Sequence, residues 1–168
     1  MKRLILGGVL IILGAIVPVI SLVKSVKFDQ QCGGYLKQAA DANTVELALD
    51  RVNIALNYIE ANKLTDGYTS VLWKTEDDNV GYWYANIKAC QAELTDAIDA
   101  ESQLEKSNVL MKVRESLTDN GEKGTKLTFP DGISRYPNNL LFGILNWLSV
   151  VLLVIGLSIV FIELDILI

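Results

Sequence analysis

Two stretches of this chain carry no charged side chain: residues 4–23 and residues 140–162, of 20 and 23 residues. As helices rising about 1.5 Å per residue they reach roughly 30 and 35 Å, enough to cross a hydrocarbon core of about 30 Å. The sequence between them is polar and follows a helical period. Val45, Leu49, Val52, Leu56 and Ile59 recur at spacings of four, three, four and three, the a/d seam of packed helices. Leu47, Ile54 and Tyr58 add a second stripe. These positions predict a helix over about 35–63. Trp83, Ile87, Cys90, Leu94, Ala97, Leu104 and Met111 form the seam of another over about 80–118, interrupted at Glu101 and Asn108.

Joined by turn chemistry at 64–79, the two helices make an antiparallel hairpin about 45–60 Å tall. Residues 28–34 read as a connector closed by Gly33 and Gly34. Asn43 followed by Glu46 resembles a capping pair that would split the first helix, although a continuous helix is the expectation. Thr75, Asp77 or Asp78 would cap the second helix, and Asp119-Asn120-Gly121 would stop it. Residues 118–139 bear Gly and Pro, with a turn at Pro130-Asp131-Gly132 and one short extended piece over 126–129. The predicted fold class is an all-α membrane protein: two transmembrane helices flanking a long antiparallel helical hairpin, with a short irregular juxtamembrane segment. The domains are an anchor over 1–24, a hairpin domain over 25–138 and a second membrane helix over 139–168. A lone hairpin buries one face of each helix. The second stripe therefore needs a neighbouring copy, another subunit, or residues 118–139 folded back as cover.

Charge narrows the function classes. Residues 25–138 hold 12 Lys/Arg against 18 Asp/Glu, a net charge of −6. Such a surface argues against nucleic acid as a partner. The chain has no histidine, which removes the commonest general base and the commonest zinc ligand. The acidic run at 74–79 lacks the alternating ligands, glycine and distal glutamate of an EF-hand, so no cofactor or metal is expected. Cys32 and Cys90 would lie about 30 Å apart along an unbroken hairpin, too far for a disulfide. No pair of carboxylates converges in a cleft of two long helices, and a non-enzymatic role is expected.

Orientation follows from the start of the chain. Met1-Lys2-Arg3 precedes an apolar run longer than a cleavable signal core, with no small-x-small site after it, and this reads as an uncleaved signal anchor. Such an anchor leaves both termini cytoplasmic and the loop outside, in the cell (inner) membrane of a bacterial envelope. Lys24, Lys27 and Arg135 would favour the opposite, but the loop is longer than the roughly 60 residues over which that count applies.

Two sets of residues are candidate sites. Gly7, Gly14 and Ser21 repeat every seven residues, and Asn146, Ser149 and Gly156 share one face of the second apolar helix. Small residues in such strips let membrane helices approach closely, and an antiparallel pair would bring Arg3 to Glu163. Tyr68, Trp73, Tyr82, Trp83 and Tyr84 crowd the far tip of the hairpin, a composition suited to recognition. In topology alone, the layout resembles the sensor half of bacterial chemoreceptors and sensor kinases. That resemblance implies a ligand-sensing module, and a receptor with only six residues after Ile162 would need a partner subunit for output. The primary expectation is a scaffold or accessory subunit of a membrane assembly, in contact with the lipid bilayer and with a protein partner or a homo-oligomer copy.

Overall fold

The computed structural model describes residues 1–121 and 124–165, and the last three residues of the expected membrane helix over 139–168 lie outside the described residues. The chain is mostly helical and divides into two units, Met1–Ser25 with Asn138–Ile168, and Val26–Pro137. The first unit holds two helices long and apolar enough to cross a membrane. They belong to α1, Lys2–Phe28, and α6, Asn139–Asp165.

In the second unit, each expected long helix is two helices. Where a connector was expected over 28–34, α1 runs to Phe28, one π-helical turn follows over Asp29–Gly33, and α2 continues over Gly34–Ala40. A Cβ on Gly34 would stand 2.9 Å from the Asp29 carbonyl oxygen, so glycine fits the widened turn. The chain then breaks, and α3 spans Val45–Ala61. The residue that restarts it is Thr44 rather than Asn43, its hydroxyl accepting from the Leu47 amide at 3.2 Å. The second expected helix divides into α4, Val80–Ala97, and α5, Gln103–Leu117. Asn79 caps α4, in place of Thr75, Asp77 or Asp78, and accepts from the Tyr82 amide at 3.0 Å. Ser102 caps α5, its hydroxyl accepting from the Glu105 amide at 3.4 Å.

These breaks replace a tall hairpin with four short helices. α2 packs on α3 and α5, α3 on α4, and α4 on α5. Ala39, Ala48, Ala55 and Ala97 are buried among Leu36, Val52, Ile59, Ile87 and Leu94 and allow the helices to lie close. Two cations close helix ends: Arg114 Nε donates to the Ala40 carbonyl at 2.9 Å, and Lys106 Nζ to that of Ile98 at 2.8 Å. α5 ends at Leu117. Residues 119–121, expected as its stop, form part of β1, Thr118–Gly121, which pairs antiparallel with β2, Gly124–Leu127. The expected single extended piece is thus one strand of an antiparallel pair, and Glu122 and Lys123 lie outside the described residues. Beyond it the chain folds back as cover, with Ile133 buried and Phe129 and Tyr136 packed on the core.

Candidate functional site at the loop end of the bundle

The 62–79 loop lies at the end of the second unit where the chain enters and leaves it, not at the opposite end. Because α2 and α3 are antiparallel, α3 returns toward Phe28, whose ring meets Tyr58 at 6.1 Å, Trp83 at 6.5 Å and Phe129 at 5.4 Å. Tyr136, next to the last residue of the unit, donates from its hydroxyl to the Asp66 carbonyl at 2.8 Å. The same hydroxyl occupies the space a side chain on Gly67 would need, and Gly67 has φ 85°. The expected far tip was a consequence of expecting unbroken helices.

The five aromatic residues go to different environments. Trp83 is buried, and its indole N–H donates to the Thr128 carbonyl at 3.0 Å. Tyr84 is half-buried and donates to Glu60 Oε1 at 2.8 Å, which pushes its phenol pKa up. Tyr68 is half-buried: its hydroxyl accepts from Asn79 Nδ2 at 3.4 Å, and Lys74 Nζ stands 5.2 Å from its ring centre. Trp73 and Tyr82 are exposed, as are Val71 and Leu72, which sequence reasoning passed over. Helical geometry explains the division, since Tyr82, Trp83 and Tyr84 point about 100° apart.

An open groove of about 450 Å³ runs between the start of α4 and the β-hairpin. Among the described residues, Tyr82, Asn86 and Phe129 line it with the acidic residues Glu76, Asp77, Asp78, Asp119 and Asp131 and with one lysine, Lys126. Its character is acidic and aromatic. Sequence reasoning missed the groove because its two walls come from parts of the chain some 40 residues apart, for example Tyr82 and Lys126. The alternation Lys126, Leu127, Thr128, Phe129 after a Gly-bearing turn was the available signal. Among the described residues, no three or more His, Cys, Asp or Glu side chains are grouped to hold a metal ion. Cys32 and Cys90 are free and buried, although the break before α3 removes the 30 Å separation that an unbroken helix would impose.

In the first unit, the small residues stand as follows. A Cβ on Gly7 would lie 2.8 Å from Val160 Cγ2 and 3.0 Å from the Gly156 carbonyl oxygen. One on Gly14 would lie 2.8 Å from Leu153 Cγ and 3.0 Å from the Ser149 carbonyl oxygen. Ser149 is buried, Asn146 half-buried, and Ser21 Oγ is buried without a hydrogen-bond partner. Arg3 meets Glu163 at 3.5 Å, and Lys24 Nζ stands 5.5 Å from the Phe142 ring. The paired residue numbers sum to nearly the same value throughout, the mark of an antiparallel pair in one register. No family model, curated protein or solved structure matches the chain.

Proposed function

We propose that this is a non-enzymatic two-pass membrane protein with both termini cytoplasmic, holding the bundle of Val26–Pro137 outside the cytoplasm as a scaffold or accessory subunit of a membrane assembly. The observation that carries the reading is the exposure of the two apolar helices. Only 11 % of the most apolar window of each is buried, whereas the core helix of a soluble protein would be mostly covered. Ile5, Ile12, Leu22, Ile144, Trp147 and Phe161 form outward surfaces that suit acyl chains. The bundle supplies its own cover, so a partner or second copy docks on a finished surface rather than completing the core.

The groove supports a second reading, a ligand-sensing module whose output passes through a partner subunit. The mass of the particle purified in mild detergent separates the two. A large, defined assembly supports the scaffold; a monomer stabilised against heat by a small cation points to the sensor. Alkaline phosphatase fused at Ser107 is expected to be active in a bacterial host. An inactive fusion, with a cytoplasmic reporter active at the same position, overturns the topology.

A further inference from the structure

We propose that Val71, Leu72 and Trp73 form a lipid-inserting loop, a third contact of this chain with the bilayer interface, resting on the reading that α1 and α6 span a membrane. These three consecutive side chains are 45 %, 77 % and 77 % exposed, in a loop that is otherwise fastened down. The Thr69 amide donates to the Asp78 carbonyl at 2.9 Å, and the Val80 amide to the Gly67 carbonyl at 2.9 Å. Tyr68 and Asn79 form a β-bridge, and Thr75 Oγ1 donates to Asp78 Oδ2 at 2.7 Å. The stem is therefore held at both sides while its apex carries large apolar groups into the surroundings. A soluble domain gains nothing by presenting leucine and tryptophan together in this way.

Chain connectivity identifies what meets that apex. Tyr136, bonded to Asp66 in the stem of the loop, is three residues from Asn139, the first residue of α6. Three residues span at most about 10 Å. Phe28, packed on Tyr58 and Trp83 at the two helix ends that flank the loop, is itself the last residue of α1. Whatever the arrangement of the two units, two covalent tethers keep this end of the bundle within a short reach of the apolar helices. On the reading that those helices span a bilayer, the lipid interface is the surface that this short reach offers to the apex. Tryptophan is the side chain that prefers the membrane–water boundary, and Lys74 beside it has a stem long enough to reach the headgroups. Glu76, Asp77 and Asp78 follow at once, so anionic headgroups have no electrostatic hold here, and the surface suited is a zwitterionic one.

The test uses the full chain in phosphatidylcholine vesicles, with one nitroxide spin label per sample. Labels go on Leu72→Cys, on Ser107→Cys as an exposed site on α5, and on Ile12→Cys in the middle of the first apolar helix. The native thiols are buried and stay unlabelled. Collision with oxygen relative to a water-soluble nickel chelate reads lipid exposure. The expected result is a ratio at position 72 several-fold above that at position 107 and below that at position 12. A low ratio at 72 equal to that at 107, with a high ratio at 12, overturns the loop while leaving the spans intact. A low ratio at position 12 overturns the spanning reading and the loop with it.

Discussion

Lys63 stands at φ 56°, in the left-handed region that side chains avoid. It occupies the position after the cap of α3, where the Leu64 amide donates to the Ile59 carbonyl at 2.9 Å and the Lys63 amide to that of Glu60 at 3.1 Å. That pair of bonds is a Schellman motif, whose preferred residue here is glycine. Leu64 and Ile59, both buried, supply its apolar contact. Lys63→Gly is therefore expected to raise stability, by about 1 kcal/mol, read as a higher midpoint in urea; an unchanged or lower midpoint contradicts the strain. A second residue-scale expectation concerns alkali. Burial raises the pKa of Cys90 above its ordinary 9.0, and raises Tyr58 and Tyr136 above 10.0. Tyr84 is raised too, chiefly by its bond to Glu60. Each group holds its proton more tightly folded than unfolded. Its stabilisation is complete below its unfolded pKa and is lost as pH rises through the folded one. Thermal midpoints should thus fall as pH is taken from 9 upward; a midpoint that climbs over that window reverses the sign and refutes the assignment.

Among the elements, the two apolar helices offer a comparison built into the chain. Gly14 has Leu153 and the Ser149 carbonyl where a side chain would go, while Gly8 has nothing within 4 Å. Gly14→Leu must push the helices apart, for a cost of about 1–3 kcal/mol because lipid replaces part of the lost packing. Gly8→Leu should be nearly silent. Unfolding in mild detergent against added SDS ranks them, and equal damage from both would mean that the helices do not meet through this strip. The small-residue repeat could be read along the sequence because α1 and α6 are each one uninterrupted helix, which keeps one period from end to end. The bundle was legible only between its breaks. The seam through Val45, Val52 and Ile59 is buried, as are Trp83, Ile87, Cys90, Leu94 and Ala97. Extending that seam to Leu104 and Met111 fails: they are 70 % and 57 % exposed. The helix ends after Ala97, and Ser102 starts another in a new phase, burying Val113 and Leu117 instead. One capping serine outweighs a heptad pattern because it sets where the backbone hydrogen bonds begin. The groove was illegible for a different reason: no local period reports that β2 lies beside α4.

At the scale of the whole molecule, the clustered core among the described residues is drawn from residues 28–133, with Tyr136 packed against it, and Phe28 at the end of α1 belongs to it. The four helices close on one another, and the Trp83 indole fastens the returning segment by its bond to Thr128. A unit that buries its apolar faces internally has the means to fold without the apolar helices of the first unit. Residues 26–137 made alone are therefore expected to unfold cooperatively in urea, with one transition seen alike by circular dichroism and by fluorescence. Trp83→Ala should test the same point from inside. It removes a buried ring that touches Phe28 and holds Thr128, and the expected loss is about 3–5 kcal/mol in the isolated unit and in the full chain alike. If the isolated unit shows no cooperative transition while the full chain does, the helices on either side of it are part of its fold. The division into two self-sufficient units would then be wrong.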